Sequence, residues 1–195
     1  YPEFDINKTL LCDAPKLYGD QCIYYIMNDA GNVNTESGGL STGSEIHAQA
    51  FAYRGNPYLD NSTFYNYKII NRSLRTYGDF YFGNWIDSDI GCSEDDYAGC
   101  DVSRGLSFLY NADAVDDGCQ YAIQGNPPAV GIDFIKGPLK DADGLDNPLT
   151  SDVNIAYNQG GIPYPGLGIG YGDGIIDNER MGMQRFVYFD RTLNA

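Results

Sequence analysis

At 195 residues the chain is long enough to bury a core as a single domain. It carries 27 acidic against 12 basic side chains, a net charge of −15, and this negative field opposes approach to phosphate backbones and to anionic lipid surfaces. Nucleic acid is therefore not an expected partner, and no membrane span is expected, because no stretch reaches the roughly 20 apolar residues that a spanning helix needs.

The remaining composition favours an all-β chain. There are 17 Tyr and 9 Phe against a single Trp, together with 24 Gly and 9 Pro. Aromatic residues suit pleated, half-buried sheet surfaces, and glycine and proline supply the turns between strands. Short aromatic and β-branched runs bounded by turn residues predict seven strands, at 21–27, 45–53, 63–71, 79–86, 105–110, 129–135 and 184–189.

Periodicity supports the strand prediction. Within 45–53 the residues Ile46, Ala48, Ala50 and Ala52 alternate with polar and aromatic ones, which is the two-residue period of a strand. The runs 63–71 and 79–86 are predicted to form a hairpin or an adjacent pair. No window of a dozen residues keeps apolar residues at helical spacing without a glycine or proline between them.

These features together predict an all-β fold, an antiparallel β-sandwich of jelly-roll or immunoglobulin-like topology with long Gly-, Pro- and Asp-rich loops. We expect one domain over residues 1–195, with a loop-rich insertion at about 137–174. A loop of that length needs something to pin it, and bound ions are one such device.

The five cysteines fit an oxidising compartment if four of them pair. The two short spacings predict local disulfides between Cys12 and Cys22 and between Cys92 and Cys100, and Cys119 is then the odd one. Spacing alone leaves the connectivity open.

A dense group of aspartates follows the predicted strand 79–86. Asp87 and Asp89 alternate along a strand end and so share a face, and a turn at Gly91 brings the next carboxylates back towards them. Carboxylates at this density repel one another unless a cation lies among them, and hard oxygen ligands with almost no histidine point to Ca²⁺. The predicted ligands of this first group are Asp87, Asp89, Asp95, Asp96 and Asp101.

Two later groups have similar chemistry. The run 141–147 combines carboxylates, an amide and a glycine, but it is not an EF-hand loop, because Leu145 and Asp146 stand where that template needs an oxygen ligand and a glycine. A further run lies at 173–179. The predicted ligands in these two groups are Asp141, Asp143, Asp146, Asp173 and Asp177.

The run 39–43 matches the nucleophile-elbow pattern around Ser41. The elbow needs a strand before it, a helix after it and a base later in the chain, whereas the single histidine, His47, follows six residues later within a predicted strand. We therefore expect neither a hydrolase triad nor any other catalytic residue.

Five stretches carry a family resemblance: 63–73, 126–134, Tyr81-Phe-Gly-Asn-Trp-Ile-Asp-Ser-Asp-Ile-Gly91, Asp95-Asp-Tyr-Ala-Gly-Cys-Asp-Val-Ser-Arg-Gly105 and Gly172-Asp-Gly-Ile-Ile-Asp-Asn-Glu-Arg-Met-Gly-Met-Gln-Arg-Phe-Val-Tyr188. In these the chain resembles a recurrent β-rich region of large secreted Bacteroidota proteins that carry sorting signals for type IX secretion. The family has no settled biochemical activity. The resemblance implies an exported protein, attached to the cell surface or released, with a β-rich body.

We therefore expect a non-catalytic, extracellular, Ca²⁺-stabilised β-sandwich module that acts in adhesion or surface assembly. Three alternatives stay open. They are a carbohydrate-binding module with a groove lined by tyrosines and Trp85, a self-assembling fibre or sheath subunit whose edge strands pair, and a glycoside hydrolase or protease fragment. The expected partners are a polysaccharide, a cell-surface protein or further copies of the chain.

Overall fold

The computed structural model describes residues 17–31, 33–35, 37–78, 80–140, 142–152, 154 and 168–188. The prediction of an all-β chain is confirmed: the elements in these ranges are eight strands and one 3₁₀ turn, and every strand pair is antiparallel. The sandwich topology stays a prediction. The sequence predicts one domain, whereas the contacts group the chain into two compact units, Tyr1–Phe82 and Gly83–Ala195, and each is described by itself.

The first unit is built on a three-stranded sheet in the order β1 (Gln21–Asn28), β2 (Ser44–Ala52) and β3 (Thr63–Asn71). All three strands are predicted from the sequence. The middle of the central strand β2 is buried on both faces: Ala48 is 1% exposed and Gln49, whose side chain points the other way, is 4% exposed.

The alternation within β2 sorts residues between the two faces. Ala48 lies between Tyr25 of β1 and Tyr67 of β3, so two large rings cover the one small side chain. On the opposite face Phe51 stacks on Phe64 with ring centroids 5.4 Å apart. Ala48 is therefore buried by the bulk of its cross-strand neighbours.

The predicted strand 79–86 is wrong over residues 80–86, and residue 79 lies outside the described ranges. Two of its four aromatic residues, Phe80 and Phe82, contact the first sheet without forming a paired strand. The Phe82 ring lies 6.1 Å from the Tyr67 ring, and Phe80 and Phe82 line a shallow cleft with Ile69. The predicted strand 184–189 is also wrong over 184–188. A run of aromatic residues is therefore as consistent with a segment that packs on a sheet as with a strand of that sheet.

The second unit holds the sheet β4 (Asp96–Asp101), β5 (Leu106–Asn111) and β6 (Ala129–Asp133), in that order. A 3₁₀ turn, Val102–Arg104, joins β4 to β5. Two short strands, β7 (Gly168–Ile169) and β8 (Arg180–Met181), pair separately.

The sequence predicts β5 and β6 but misses β4, because aspartate and glycine are poor strand formers. Pairing with β5 overrides that preference. Gly99 is needed there, since a Cβ at this position would lie 2.6 Å from the Phe108 ring across the strand pair.

The predicted Cys92–Cys100 disulfide is wrong: Cys92 bonds to Cys119, and Cys100 is a free thiol. Of the other predicted pair, Cys22 is a free thiol and Cys12 lies outside the described residues. Cys100 is in β4, and because a strand rises about 3.3 Å per residue it lies about 13 Å beyond Asp96, far from the turn that holds Cys92. A disulfide needs its two Cα atoms within about 7 Å of each other, and the bonded pair has them 5.6 Å apart.

One carboxylate organises the connection from β1 to β2. Asp29 accepts hydrogen bonds from the Ser41 and Thr42 hydroxyls at 3.1 and 2.7 Å and from the backbone N–H groups of Thr42, Gly43 and Ser44. The Thr42 bonds, with those from Ser41 and Gly43, lower the pKa of Asp29 from 3.8 to about 2. The nucleophile-like pattern around Ser41 therefore belongs to a loop that is tied to Asp29.

Replacing Cys92 and Cys119 together with alanine should lower the free energy of unfolding by about 3.5 kcal/mol, the loop-closure entropy for a separation of 27 residues. Urea unfolding followed by Trp85 fluorescence measures this. The matched control, Cys100→Ala, removes a free thiol and should leave the midpoint unchanged. A larger loss in the control would contradict the observed pairing.

Replacing Asp29 with asparagine should lower the melting temperature at pH 7. Because the folded-state pKa lies below the unfolded one, the stabilisation is fully present above about pH 4 and is lost as the pH falls towards 2. The melting difference between the native chain and the variant should shrink over that window. The exposed Asp117→Asn serves as the control, and a difference that persists at pH 2 would refute the role of the charge.

Candidate metal centres

The centre of the second unit is polar. Among the described residues of this unit the most buried side chains include Glu179, 1% exposed, Asn147, 0% exposed, and Asp116, 4% exposed, beside the apolar Ile90 and Cys92. Burying a carboxylate costs several kcal/mol unless hydrogen bonds or opposite charges compensate. The partners of these groups therefore decide what the unit can bind.

We call residues 87–96 together with Asp116 the acidic turn. Asp96 Oδ2 accepts from the Ile90 N–H at 2.8 Å, and Asp116 Oδ1 accepts from the Cys92 N–H at 2.9 Å. Gly91 lies between them with φ 72°, and a Cβ there would collide with the Asp116 carboxylate. Two carboxylates thus hold a turn that only glycine fits.

The acidic turn is electrostatically strained. Burial raises the pKa of Asp96 above its ordinary value, and the charges of Asp95, Asp116 and Asp89 raise it further. The Oδ1 atoms of Asp95 and Asp96 are buried and have no hydrogen-bond partner. Buried, unpartnered carboxylate oxygens among like charges are the donor set that a hard cation such as Ca²⁺ prefers.

The first predicted ligand group is therefore brought together only in part. Asp89, Asp95 and Asp96 interact, and Asp87 is exposed. Asp101 lies at the far end of β4, where its carboxylate accepts from the Ser103 hydroxyl at 2.6 Å and pairs with Arg104 at 3.5 Å. The Ser103 bond, with the Arg104 charge, lowers the pKa of Asp101. Asp116, which the sequence analysis did not single out, takes its place beside Asp96.

We call the segments 142–147 and 170–179 together the double loop, since carboxylates of each accept from backbone N–H groups of the other. Asp146 accepts from Gly172 at 2.7 Å and from Gly174 at 2.6 Å, and Asp177 accepts from Gly144 at 2.8 Å. Part of the predicted insertion at 137–174 is thus pinned by reciprocal carboxylate hydrogen bonds.

The other predicted ligands of the double loop also have local partners. Asp143 accepts from the Leu145 N–H at 2.9 Å and from the Asn147 amide at 3.2 Å. Asp173 accepts from the Ile175 N–H at 2.9 Å and from the Asn178 amide. Asp141 lies outside the described residues. In the double loop, buried oxygens without a hydrogen-bond partner belong to Glu179, Asn147 and Asn178, none of which the sequence analysis had named as a ligand.

Within the described ranges, no group of three or more His, Cys, Asp or Glu side chains is arranged to hold a metal ion. Zinc sites are built from three or four such side chains. Calcium also takes backbone carbonyls, side-chain amides and water, so a calcium site does not need three such side chains.

The histidine belongs to a separate network in the first unit. His47 Nδ1 lies 2.7 Å from the Tyr24 hydroxyl, and Nε2 lies 2.7 Å from Glu45. Arg72 donates to the same Glu45 oxygen. Ser41 and His47 are thus each hydrogen-bonded to other partners and not to each other.

The described part of the chain contains no helix long and apolar enough to cross a bilayer.

Replacing Gly170 with alanine should destabilise the chain more than replacing Gly172. Both residues have positive φ, 83° and 66°, which costs an L-residue about 1–2 kcal/mol. A Cβ at Gly170 would also lie 2.6 Å from the Asn178 side-chain oxygen and 2.8 Å from its carbonyl, whereas Gly172 has open space. Urea midpoints compare the two variants, and equal losses would contradict the close approach of Asn178 to Gly170.

Comparison of the chain with protein-family models, with curated proteins and with solved structures finds no match, so its function has to be argued from the geometry of its own residues.

Proposed function

We propose that this chain is a non-catalytic, extracellular β-rich module in which the acidic turn binds Ca²⁺ structurally, and that it acts in adhesion or assembly at the cell surface. The observation that carries the proposal is the pair of buried, unpartnered Oδ1 atoms of Asp95 and Asp96. Calcium would satisfy both oxygens and cancel the repulsion that raises the pKa of Asp96.

Two further features support a module that works outside the cell. The Cys92–Cys119 disulfide is typical of oxidising compartments. The resemblance to secreted, type IX-sorted proteins points the same way. Among described residues the fully buried apolar side chains are few, Ala48, Ile90 and Cys92, and domains with small apolar cores commonly depend on disulfides and metal ions.

A calcium ion in the acidic turn would also have a defined structural role. Asp96 begins β4 and holds the backbone at Ile90, and Asp116 holds it at Cys92, next to the disulfide. An ion bound to this turn would therefore fix the entry to β4 relative to the Cys92–Cys119 bridge.

One observation favours a second function, recognition of carbohydrate by the first unit. Tyr65 and Tyr67 lie side by side on β3 with ring planes 5° apart, and Tyr65 is 59% exposed. Exposed tyrosine rings, here nearly parallel with centroids 6.3 Å apart, offer aromatic surface on which a sugar ring stacks. Binding to a polysaccharide panel, lost on Tyr65→Ala but kept on Tyr58→Ala, would favour this function over a purely structural role.

The variant Asp96→Asn tests the calcium proposal. Its amide oxygen can still accept from Ile90 while the negative charge is gone, so in EDTA the variant should melt at or above the native chain. In millimolar CaCl₂ the order should reverse, because the native chain gains about 2.7 kcal/mol at one hundred times the dissociation constant. Differential scanning calorimetry measures both, and metal analysis counts the bound ions.

The matched control is Asp101→Asn, which removes a carboxylate from the same strand but from its opposite end. It should bind as many ions as the native chain. If Asp96→Asn binds the same number of calcium ions with the same affinity, the acidic turn is not a calcium site and the proposal fails.

A further inference from the structure

Glu179 is the largest fully buried side chain among the described residues, at 1% exposed. Its Oε1 accepts from the Asn147 N–H at 2.5 Å, and its backbone carbonyl accepts from the Lys140 N–H at 2.9 Å. Its Oε2 is buried and has no hydrogen-bond partner. A buried carboxylate with one oxygen unsatisfied is a costly arrangement unless something else binds that oxygen.

Asn147 is in direct contact with Glu179 and is 0% exposed. Its side-chain N–H donates to Asp143 at 3.2 Å, and its backbone carbonyl accepts from Gly172 at 3.1 Å. Its Oδ1 is the remaining polar atom and has no partner. Two residues joined by a hydrogen bond, one acidic and one neutral, thus each present an unpartnered buried oxygen.

The charges around these oxygens are unbalanced. Among the described residues of the double loop and its two flanking positions, Lys140 and Arg180 are the cationic side chains, and five carboxylates stand against them: Asp143, Asp146, Asp173, Asp177 and Glu179. Arg180 donates to the Gly137 carbonyl at 2.9 Å. The Lys140 ammonium lies 5.8 Å from the centre of the Tyr171 ring, and its charge adds to the Asn147 and Leu145 hydrogen bonds in lowering the pKa of Asp143.

We propose that Glu179 and Asn147, with Asp143 beside them, are ligands of a separate calcium ion that ties the two segments of the double loop together. The inference rests on the proposed function only in the choice of ion and uses none of the residues of the acidic turn. Carboxylate and amide oxygens are hard ligands that suit Ca²⁺. Backbone carbonyls and water complete its coordination.

The ion would act on a part of the chain that has little apolar support. Segments 142–147 and 170–179 are held together by hydrogen bonds between carboxylates and backbone N–H groups. Segment 170–179 also connects β7 to β8, with which β7 pairs. Calcium at Glu179 would make the opening of the two segments cooperative, because an ion bound by both of them loses a ligand whenever either one opens.

The test uses the full chain with Asp96→Asn as background, so that the acidic turn no longer contributes. Calorimetric titration with CaCl₂ should show one remaining ion. Adding Glu179→Gln should weaken its binding by at least about tenfold, since loss of even an outer-shell partner costs 10–100-fold in metal affinity. Adding Asp173→Asn, which removes a charge from the same loop but not a proposed ligand, should leave the affinity unchanged.

Hydrogen exchange of the unsubstituted chain keeps the inference testable if the Glu179 variant does not fold. Peptides covering 142–147 and 170–179 should exchange more slowly in CaCl₂ than in EDTA, while peptides covering β2 should exchange equally in both. If the double loop exchanges at the same rate in CaCl₂ and in EDTA, the inference is overturned, and the Lys140 ammonium is then the cation that balances the charge of the loop carboxylates. If the Glu179→Gln variant keeps its calcium affinity, the inference is overturned as well. Failure of the proposed calcium site in the acidic turn is a different result, because it leaves the number of bound ions unchanged in Asp96→Asn.

Discussion

The free-energy cost of burying carboxylates is the constraint on which the second unit depends. Glu179 and Asp116 are almost wholly inaccessible, and Asp96 is partly buried among like charges. Such groups are tolerated only where donors or cations reach them. Asp116 is satisfied by two backbone N–H groups, but Asp96 and Glu179 each keep one oxygen without a partner. The calcium sites proposed here follow from that imbalance.

The two units solve the problem of stability differently. The first relies on cross-strand packing, in which large rings on β1 and β3 cover small residues of β2, and on one carboxylate, Asp29, that closes a loop. The second relies on a disulfide and on carboxylates that bind backbone N–H groups across the double loop. Asp29 makes the stability of the first unit depend on pH as well as on packing, because its pKa is lowered in the folded state.

Local pattern predicted the strands whose own residues favour extended structure. The two-residue period at 45–53 identified β2, and its partners β1 and β3 followed from aromatic and β-branched runs. The same signals failed at 80–86, where aromatic residues pack against a sheet face, and at β4, where Asp and Gly conceal a strand that β5 selects. Pairing partners that lie outside the window decide such cases.

The all-β class, the strong negative charge and the concentration of carboxylates on which the calcium proposal depends can be read from the amino-acid sequence alone. Which oxygens are left without partners depends on how the chain folds. Asp146 and Asp177 bind backbone N–H groups of the facing segment, whereas Glu179 and Asn147, 32 residues apart, meet with one oxygen each unsatisfied. The fold also decides that Cys92 bonds to Cys119. The physical reason is the same in both cases. Residues far apart in the sequence come into contact only when strands and turns fold, so their spacing along the chain does not predict the contact.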